Sequence, residues 1–147
     1  MKISRGLWTV AGVAAMLWVA APAASHGPSG HGEAPQPGSK DAMKAQHERM
    51  ANFKKATDML SYAIIHNAME MAREGAETLG RSLAGHEQDV PHKKRSQAKE
   101  FHGLYLELGK RTENLKKAIR ADDLPKAAVT YGRILETCAT CHRTFRD

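Results

Sequence analysis

The residues best suited to chemistry stand near the end of the chain, in the run Cys138-Ala139-Thr140-Cys141-His142. Two thiols three residues apart can form thioethers with the two vinyl groups of one haem, and the adjacent imidazole then reaches the iron as proximal ligand. The chain has only these 2 cysteines, so none remains for a zinc site or a second haem. The motif therefore predicts one covalently attached haem c.

The same pair of cysteines has two other known uses. A thioredoxin-like redox pair stands near a βαβ pattern, and no segment of this chain shows the strict alternation of a strand. A disulfide closing so short a loop would constrain little of the unfolded chain. Haem attachment is therefore the favoured interpretation.

The N-terminus predicts export. Lys2 and Arg5 precede an apolar run at residues 7–21, and small residues follow it. This order is typical of a secretory signal peptide, and the run is shorter than the ~20 residues needed to span a membrane. We predict a cleaved signal peptide at residues 1–24, a periplasmic location and a mature protein that is not embedded in the membrane.

Residues 25–40 are predicted to be a flexible leader. They are rich in glycine, proline and histidine, a composition that buries little apolar surface. Cleavage after Ala23 would place His26 third from the new N-terminus, where amine, amides and imidazole can chelate copper or nickel. Two ordinary exposed histidines, His26 and His31, are the plainer alternative.

The net charge argues against nucleic acid as a partner. The chain carries +6 at neutral pH, and removing two positive charges, Lys2 and Arg5, with the signal peptide leaves +4. Haem propionates would lower the charge further. So modest an excess, with no nucleic-acid-binding motif beside it, does not predict such a partner.

Residues 41–147 predict helices almost throughout. Apolar residues recur every three or four positions in four segments, which places each set on one helix face. The sets are Met43, Met50, Phe53, Leu60 and Ile64; Met69, Ala72, Ala76, Leu79 and Leu83; Phe101, Tyr105, Leu108, Leu115 and Ile119; and Leu124, Ala128, Tyr131, Leu135 and Cys138. Asp41 is the expected N-cap of the first helix, Gly85 the left-handed end of the second, and Lys93 the approximate start of the third.

Two similar segments mark the tips of helical hairpins, at residues 66–67 and 122–123. Each combines a helix ending, a turn and a helix beginning, and Pro125 suits the first turn of the last helix. Two such hairpins predict an all-α fold, an antiparallel up-down-up-down four-helix bundle. A flat cofactor can lie between facing helices near one end.

Four helices with Cys-x-x-Cys-His close to the C-terminus resemble the cytochrome c′ family, the class II c-type cytochromes. Cys138, Cys141, His142, Phe145 and Arg146 are similar to the family's C-terminal pattern, in which an aromatic and a basic residue follow the histidine. The resemblance covers residues 41–147, although only the last turn is specific. It implies haem attachment outside the cytoplasm and a homodimer formed through the first two helices.

The bundle narrows the choice of a distal ligand. Residues equally far from the two tips lie at the same height in an antiparallel bundle, which sets residues 46–50 opposite Cys138 and His142. Met50 lies on the apolar stripe, and a thioether is a common partner for a histidine-ligated haem. The resemblance adds that low-spin members carry a methionine on the first helix. His47 is the alternative ligand; if Met50 only fills core, the iron stays five-coordinate.

Two arginines follow the motif, and four further histidines stand elsewhere in the helical region. Arg143 and Arg146 suit haem propionates, since guanidinium matches carboxylate bidentately, or they are simply exposed at a helix end. The remaining histidines of the helical region stand at turns or on polar faces and are expected to be solvated: His66, His86, His92 and His102.

The predicted function is periplasmic electron transfer with redox partner proteins. The alternative is binding of nitric oxide or carbon monoxide at an open or displaceable sixth position. Enzymatic activity such as that of a peroxidase is not expected, because no distal acid–base histidine in an obviously polar pocket is evident.

Overall fold

The computed structural model describes residues 39–146, and every regular element within them is helical. The prediction of an all-α fold is confirmed. The predicted signal peptide, His26, His31 and their possible metal site lie outside the described residues. The four long helices are α1 (Lys40–His66), α2 (Met69–Leu83), α3 (Ala98–Arg120) and α4 (Leu124–Phe145), and a 3₁₀ turn at Arg95–Gln97 precedes α3.

Side-chain caps fix the starts of α1 and α4. The hydroxyl of Ser39 accepts a hydrogen bond from the backbone N–H of Ala42 at 3.1 Å, so Ser39 is the N-cap of α1 and the prediction of Asp41 is wrong. Asp41 instead lies in the first turn, where its carboxylate is favoured by the helix dipole. Asp123 caps α4 by accepting from the N–H of Lys126 at 3.0 Å.

The three connections differ in length. Asn67 ends α1 in a left-handed conformation with φ 54°, and α2 follows after one more residue. Gly85 adopts a left-handed φ of 78° beyond the end of α2, as expected. The helix predicted from Lys93 begins only at Ala98, because Lys94 has a left-handed φ of 53°. Residues 84–97 therefore form a longer connection than the sequence suggested.

The core lies along the apolar stripes of the four helices. Successive helices pack against each other, and α1 also contacts α4 over a shorter stretch. The predicted stripes of α1, α2 and α3 are buried or half-buried. On α4 the prediction of Leu135 is wrong, since Leu135 is 43% exposed while Ile134 is fully buried. The paths from Tyr131 to Cys138 through Ile134 and through Leu135 fit the helical period equally well, so the rotation of α4 decides which of the two side chains is buried.

Gly75 marks the closest approach of α1 and α2. A Cβ at Gly75 would lie 3.0 Å from Cγ of Leu60 and 3.2 Å from the carbonyl oxygen of Ala56, whereas a Cβ at Gly103 would meet nothing within 4 Å. Both glycines are helical, so alanine improves helix propensity equally at both. Only the crowding differs between the two sites.

We expect Gly75→Ala to lower the free energy of unfolding by roughly 1–2 kcal/mol, because overpacking against a backbone oxygen outweighs propensity. Gly103→Ala is the matched control and should raise it by up to ~1 kcal/mol. Urea unfolding followed by circular dichroism measures both. A stabilised Gly75→Ala would contradict the close approach of α1 to α2.

Candidate functional site

The cysteine–histidine motif occupies the last turns of α4. Cys138, Cys141 and His142 stand at positions i, i+3 and i+4, which places them on one side of a helix. Both thiols are free and half-buried, and His142 is exposed. One turn later Phe145 is buried edge-on against Phe101 of α3, with ring centroids 5.2 Å apart. That aromatic contact fixes the end of α4 and the orientation of the motif.

A cleft of about 540 Å³ opens beside Cys141 and His142. This volume falls within the range of roughly 300–1,000 Å³ that is usual for bound cofactors and other small ligands. Met50 of α1, Phe101 of α3 and Phe145 of α4 supply apolar wall. The cleft thus lies among three helices and is lined by both the imidazole of His142 and the thioether of Met50.

A smaller extension of about 30 Å³ continues the cleft inward. Cys138 lines only this extension, while Cys141 and His142 line both parts. The other residues around the extension are largely apolar, among them Phe53 and Leu108. Cys138 therefore lies at the extension, and Cys141 lies where the extension and the cleft meet.

Met50 and His47, the two residues predicted as alternative distal ligands, both line this space. Met50 lines both parts, and His47 lines the outer part, on the α1 side. Met50 is half-buried and His47 is exposed. Arg146 also lines the outer part, whereas Arg143 is exposed and does not line it. Which of these residues binds a cofactor stays a prediction.

The prediction of a solvated His92 is wrong. His92 is half-buried and lines the outer cleft, where its Nδ1 lies 3.0 Å from Oε1 of Gln46. Its ring also packs edge-on against His47, with centroids 5.7 Å apart. The preceding Pro91 is fully buried, which holds the connection against the helices.

Burial raises the pKa of both thiols. The pKa of Cys138 is raised, and that of Cys141 is raised to about 11 by burial and then by the neighbouring Cys138. Both side chains are therefore protonated at neutral pH. A dithiol redox centre requires a lowered thiol pKa, so this environment suits thioether formation with a bound apolar group better than thiol exchange.

Two polar atoms near the space are buried without a partner. The hydroxyl of Tyr105, which lines the extension, and Nε of Arg49 make no hydrogen bond among residues 39–146. Burial raises the pKa of Tyr105 to about 12, against the opposing charge of Arg49. Buried donors of this kind are normally paired. Arg49 was not predicted, although its position one turn before Phe53 is on the buried stripe.

These features fit a covalent haem. Two half-buried thiols, an exposed imidazole on the same helix face, an apolar extension and an outer cleft with largely apolar walls and a few polar side chains would suit a flat group with vinyl and carboxylate edges. Within residues 39–146 no three histidine, cysteine or acidic side chains cluster to hold a bare metal ion. No helix in the same range is long and apolar enough to cross a membrane.

Comparisons with known proteins add no relative. The chain matches no protein-family model, and neither curated proteins nor solved structures include a significant match.

We expect the buried phenol of Tyr105 to make folding sensitive to alkali. An unfolded tyrosine ionises near pH 10, but in the folded chain Tyr105 ionises at about 12. The unfolded state binds fewer protons in that interval, so stability is intact below pH 10 and falls as the pH rises towards 12. The loss from Tyr105 should reach about 1 kcal/mol at about pH 11.

Urea unfolding between about pH 8 and pH 11 tests this expectation. Tyr105→Phe should remove about 1 kcal/mol of the alkaline loss, whereas Tyr62→Phe, at a residue 53% exposed, should leave the pH dependence unchanged. Identical pH profiles for Tyr105→Phe and the unsubstituted protein would contradict the buried position of the phenol.

Proposed function

We propose that this chain is an exported c-type cytochrome that carries one covalent haem and transfers electrons in the periplasm. One observation carries the proposal: the two cysteines and the adjacent histidine of the attachment sequence line a cofactor-sized, largely apolar cleft, with Met50 on its α1 wall. The signal peptide inferred for residues 1–24 supplies the compartment in which such a protein would act.

Each residue of the cleft has a defined part in this proposal. Cys138 and Cys141 form the thioethers, and His142 is the proximal ligand of the iron. Met50 is the proposed sixth ligand, with His47 as the alternative. Bound haem supplies a one-electron couple whose potential depends on axial ligation and burial. The apolar wall formed by Phe101 and Phe145 excludes water from the haem and favours the less charged redox state.

We propose the antiparallel up-down-up-down bundle as the architecture around this site. The connections at the two tips are only a few residues long, which favours antiparallel neighbours. The hydroxyl of Tyr131 donates to the carbonyl of Thr57 at 2.8 Å, which ties α4 to α1. In an antiparallel pair with that register, Cys138 comes opposite Met50. We also propose that the chain is a member of the cytochrome c′ family and that it forms a homodimer.

Binding of nitric oxide or carbon monoxide is the second candidate function. The observation favouring it is that Met50 is only half-buried and faces a cleft of about 540 Å³, rather than being packed tightly in the core. A thioether in so open a place is displaceable by a small gas. Partners of the electron carrier would be redox proteins, whereas the gas-binding protein needs none.

The optical spectrum of the mature holoprotein separates the two functions. For the electron carrier we expect a low-spin spectrum in both oxidation states that does not change on adding carbon monoxide, because Met50 fills the sixth position. A high-spin spectrum that shifts with the gas would contradict the carrier and support gas binding.

Single substitutions assign the ligand. Met50→Ala should convert most of the haem to a form that binds carbon monoxide, because Met50 is the one methionine among residues 39–146 that lines the cleft. His47→Ala, one turn away on the same helix, should keep the low-spin spectrum. The reverse pattern would make His47 the ligand, and an unchanged spectrum in both variants would exclude both.

A further inference from the structure

The hydroxyl of Tyr105 is a hydrogen-bond donor without an acceptor. Tyr105 is 7% exposed, and its hydroxyl oxygen is buried with no hydrogen-bond partner among residues 39–146. A buried donor left in this state destabilises the fold, so such groups are normally satisfied by the protein, by water or by a ligand. An acceptor supplied by a bound group would remove that cost.

The neighbouring guanidinium of Arg49 cannot satisfy this donor. Burial raises the pKa of Tyr105 and the charge of Arg49 opposes the rise, which places the guanidinium near the phenol. A guanidinium has N–H donors and no acceptor, so Arg49 can approach only the lone pairs of the phenol oxygen. Arg49 is held on its other side by an ion pair with Asp89. The O–H proton of Tyr105 is therefore directed away from Arg49, towards another acceptor.

Tyr105 lies beside the inner extension of the cleft, on its α1 side. It lines the extension together with Met50 and His142, and it does not line the outer cleft. Its ring packs against that of Phe53 on α1, with centroids 6.3 Å apart. Arg49 directly precedes Met50 and Phe53 follows one turn later, so these contacts hold the phenol on the same side of the space as the thioether.

A bound haem offers two kinds of acceptor, its carboxylates and the group in the sixth position of the iron; this step rests on the proposed function. The carboxylates lie at the edge opposite the vinyl groups, and the vinyl groups join Cys138 and Cys141. Both cysteines line the extension that Tyr105 lines, so the carboxylate edge is remote from the phenol. The proposed axial residues His142 and Met50 line the same extension. The sixth ligand is therefore the acceptor within reach.

We propose that Tyr105 donates a hydrogen bond to the ligand in the sixth position of the iron. With Met50 in that position the acceptor is the thioether sulfur, which accepts weakly. A small ligand that displaces Met50, such as carbon monoxide, takes over the same bond. Tyr105 thus stabilises ligands that accept a hydrogen bond, a selectivity that the apolar wall of the extension does not provide.

Infrared spectroscopy of the reduced carbon monoxide complex tests this assignment, because a hydrogen bond to the bound gas lowers its C–O stretching frequency. The background variant carries both Met50→Ala and His47→Ala, which opens the sixth position whichever of the two is the ligand. In this background Tyr105→Phe removes only the hydroxyl and should raise the C–O frequency. Tyr131→Phe removes a hydroxyl that is bonded to the carbonyl of Thr57 and lines neither part of the cleft, so it should leave the frequency unchanged.

The outcomes separate this inference from the function on which it rests. An unchanged frequency in Tyr105→Phe, or an equal shift in Tyr131→Phe, would overturn the role of Tyr105 while leaving a covalent haem in place. Should Tyr105→Phe yield no holoprotein, the background variant is compared in ordinary and heavy water: a hydrogen-bonded gas should change frequency, and equal frequencies would overturn the role. A wild-type protein without covalent haem would overturn the proposed function and the inference together.

Discussion

The spacing of Cys138, Cys141 and His142 on one helix is the constraint on which the rest of the structure depends. One turn of α-helix places the three side chains on the same face, and a covalent haem on that face would need a space beside it. Without such a space, the apolar face of α4 would pack against the core along its whole length. Here the stripe of buried residues on α4 runs into the half-buried Cys138 and the cleft beyond it.

The surrounding helices form the walls of that space. The hydroxyl of Tyr131 on α4 donates a hydrogen bond to the carbonyl oxygen of Thr57 on α1. Tyr131 precedes Cys138 along α4. Beyond it, Met50 and Cys141 lie on different helices around one cleft. Phe145 packs against Phe101 and prevents the last turn of α4 from fraying. The burial that raises the pKa of the thiols follows from the same packing.

The sequence predicted the helices and the residues around the cleft better than it predicted the connections. Apolar periodicity identified three buried stripes because packing of amphipathic helices depends on that period. It placed Leu135 inward in error, since both Ile134 and Leu135 are apolar and only the rotation of α4 decides between them. The cysteine–histidine motif and the number of residues between Met50 and the hairpin tip can both be read directly from the sequence, so both were predicted.

His92 and Arg49 show why the rest was not visible. Their environment depends on how residues 84–97 fold back onto α1, and no periodic pattern encodes such a contact. Lys94, which delays α3 by adopting a left-handed conformation, is not a residue type that predicts one. The contribution of His92 to the cleft is therefore a tertiary feature, whereas most of the cleft wall follows from the helices.

The most direct test of the central claim is the intact mass of the mature protein, exported by a host that attaches c-type haem and then unfolded in acid. We predict that the wild-type polypeptide retains the mass of one haem after denaturation. The variant in which Cys138 and Cys141 are both replaced by alanine should show the mass of the polypeptide alone. A wild-type polypeptide without added mass and with two free thiols, from a host that attaches haem to a control cytochrome, would contradict the account.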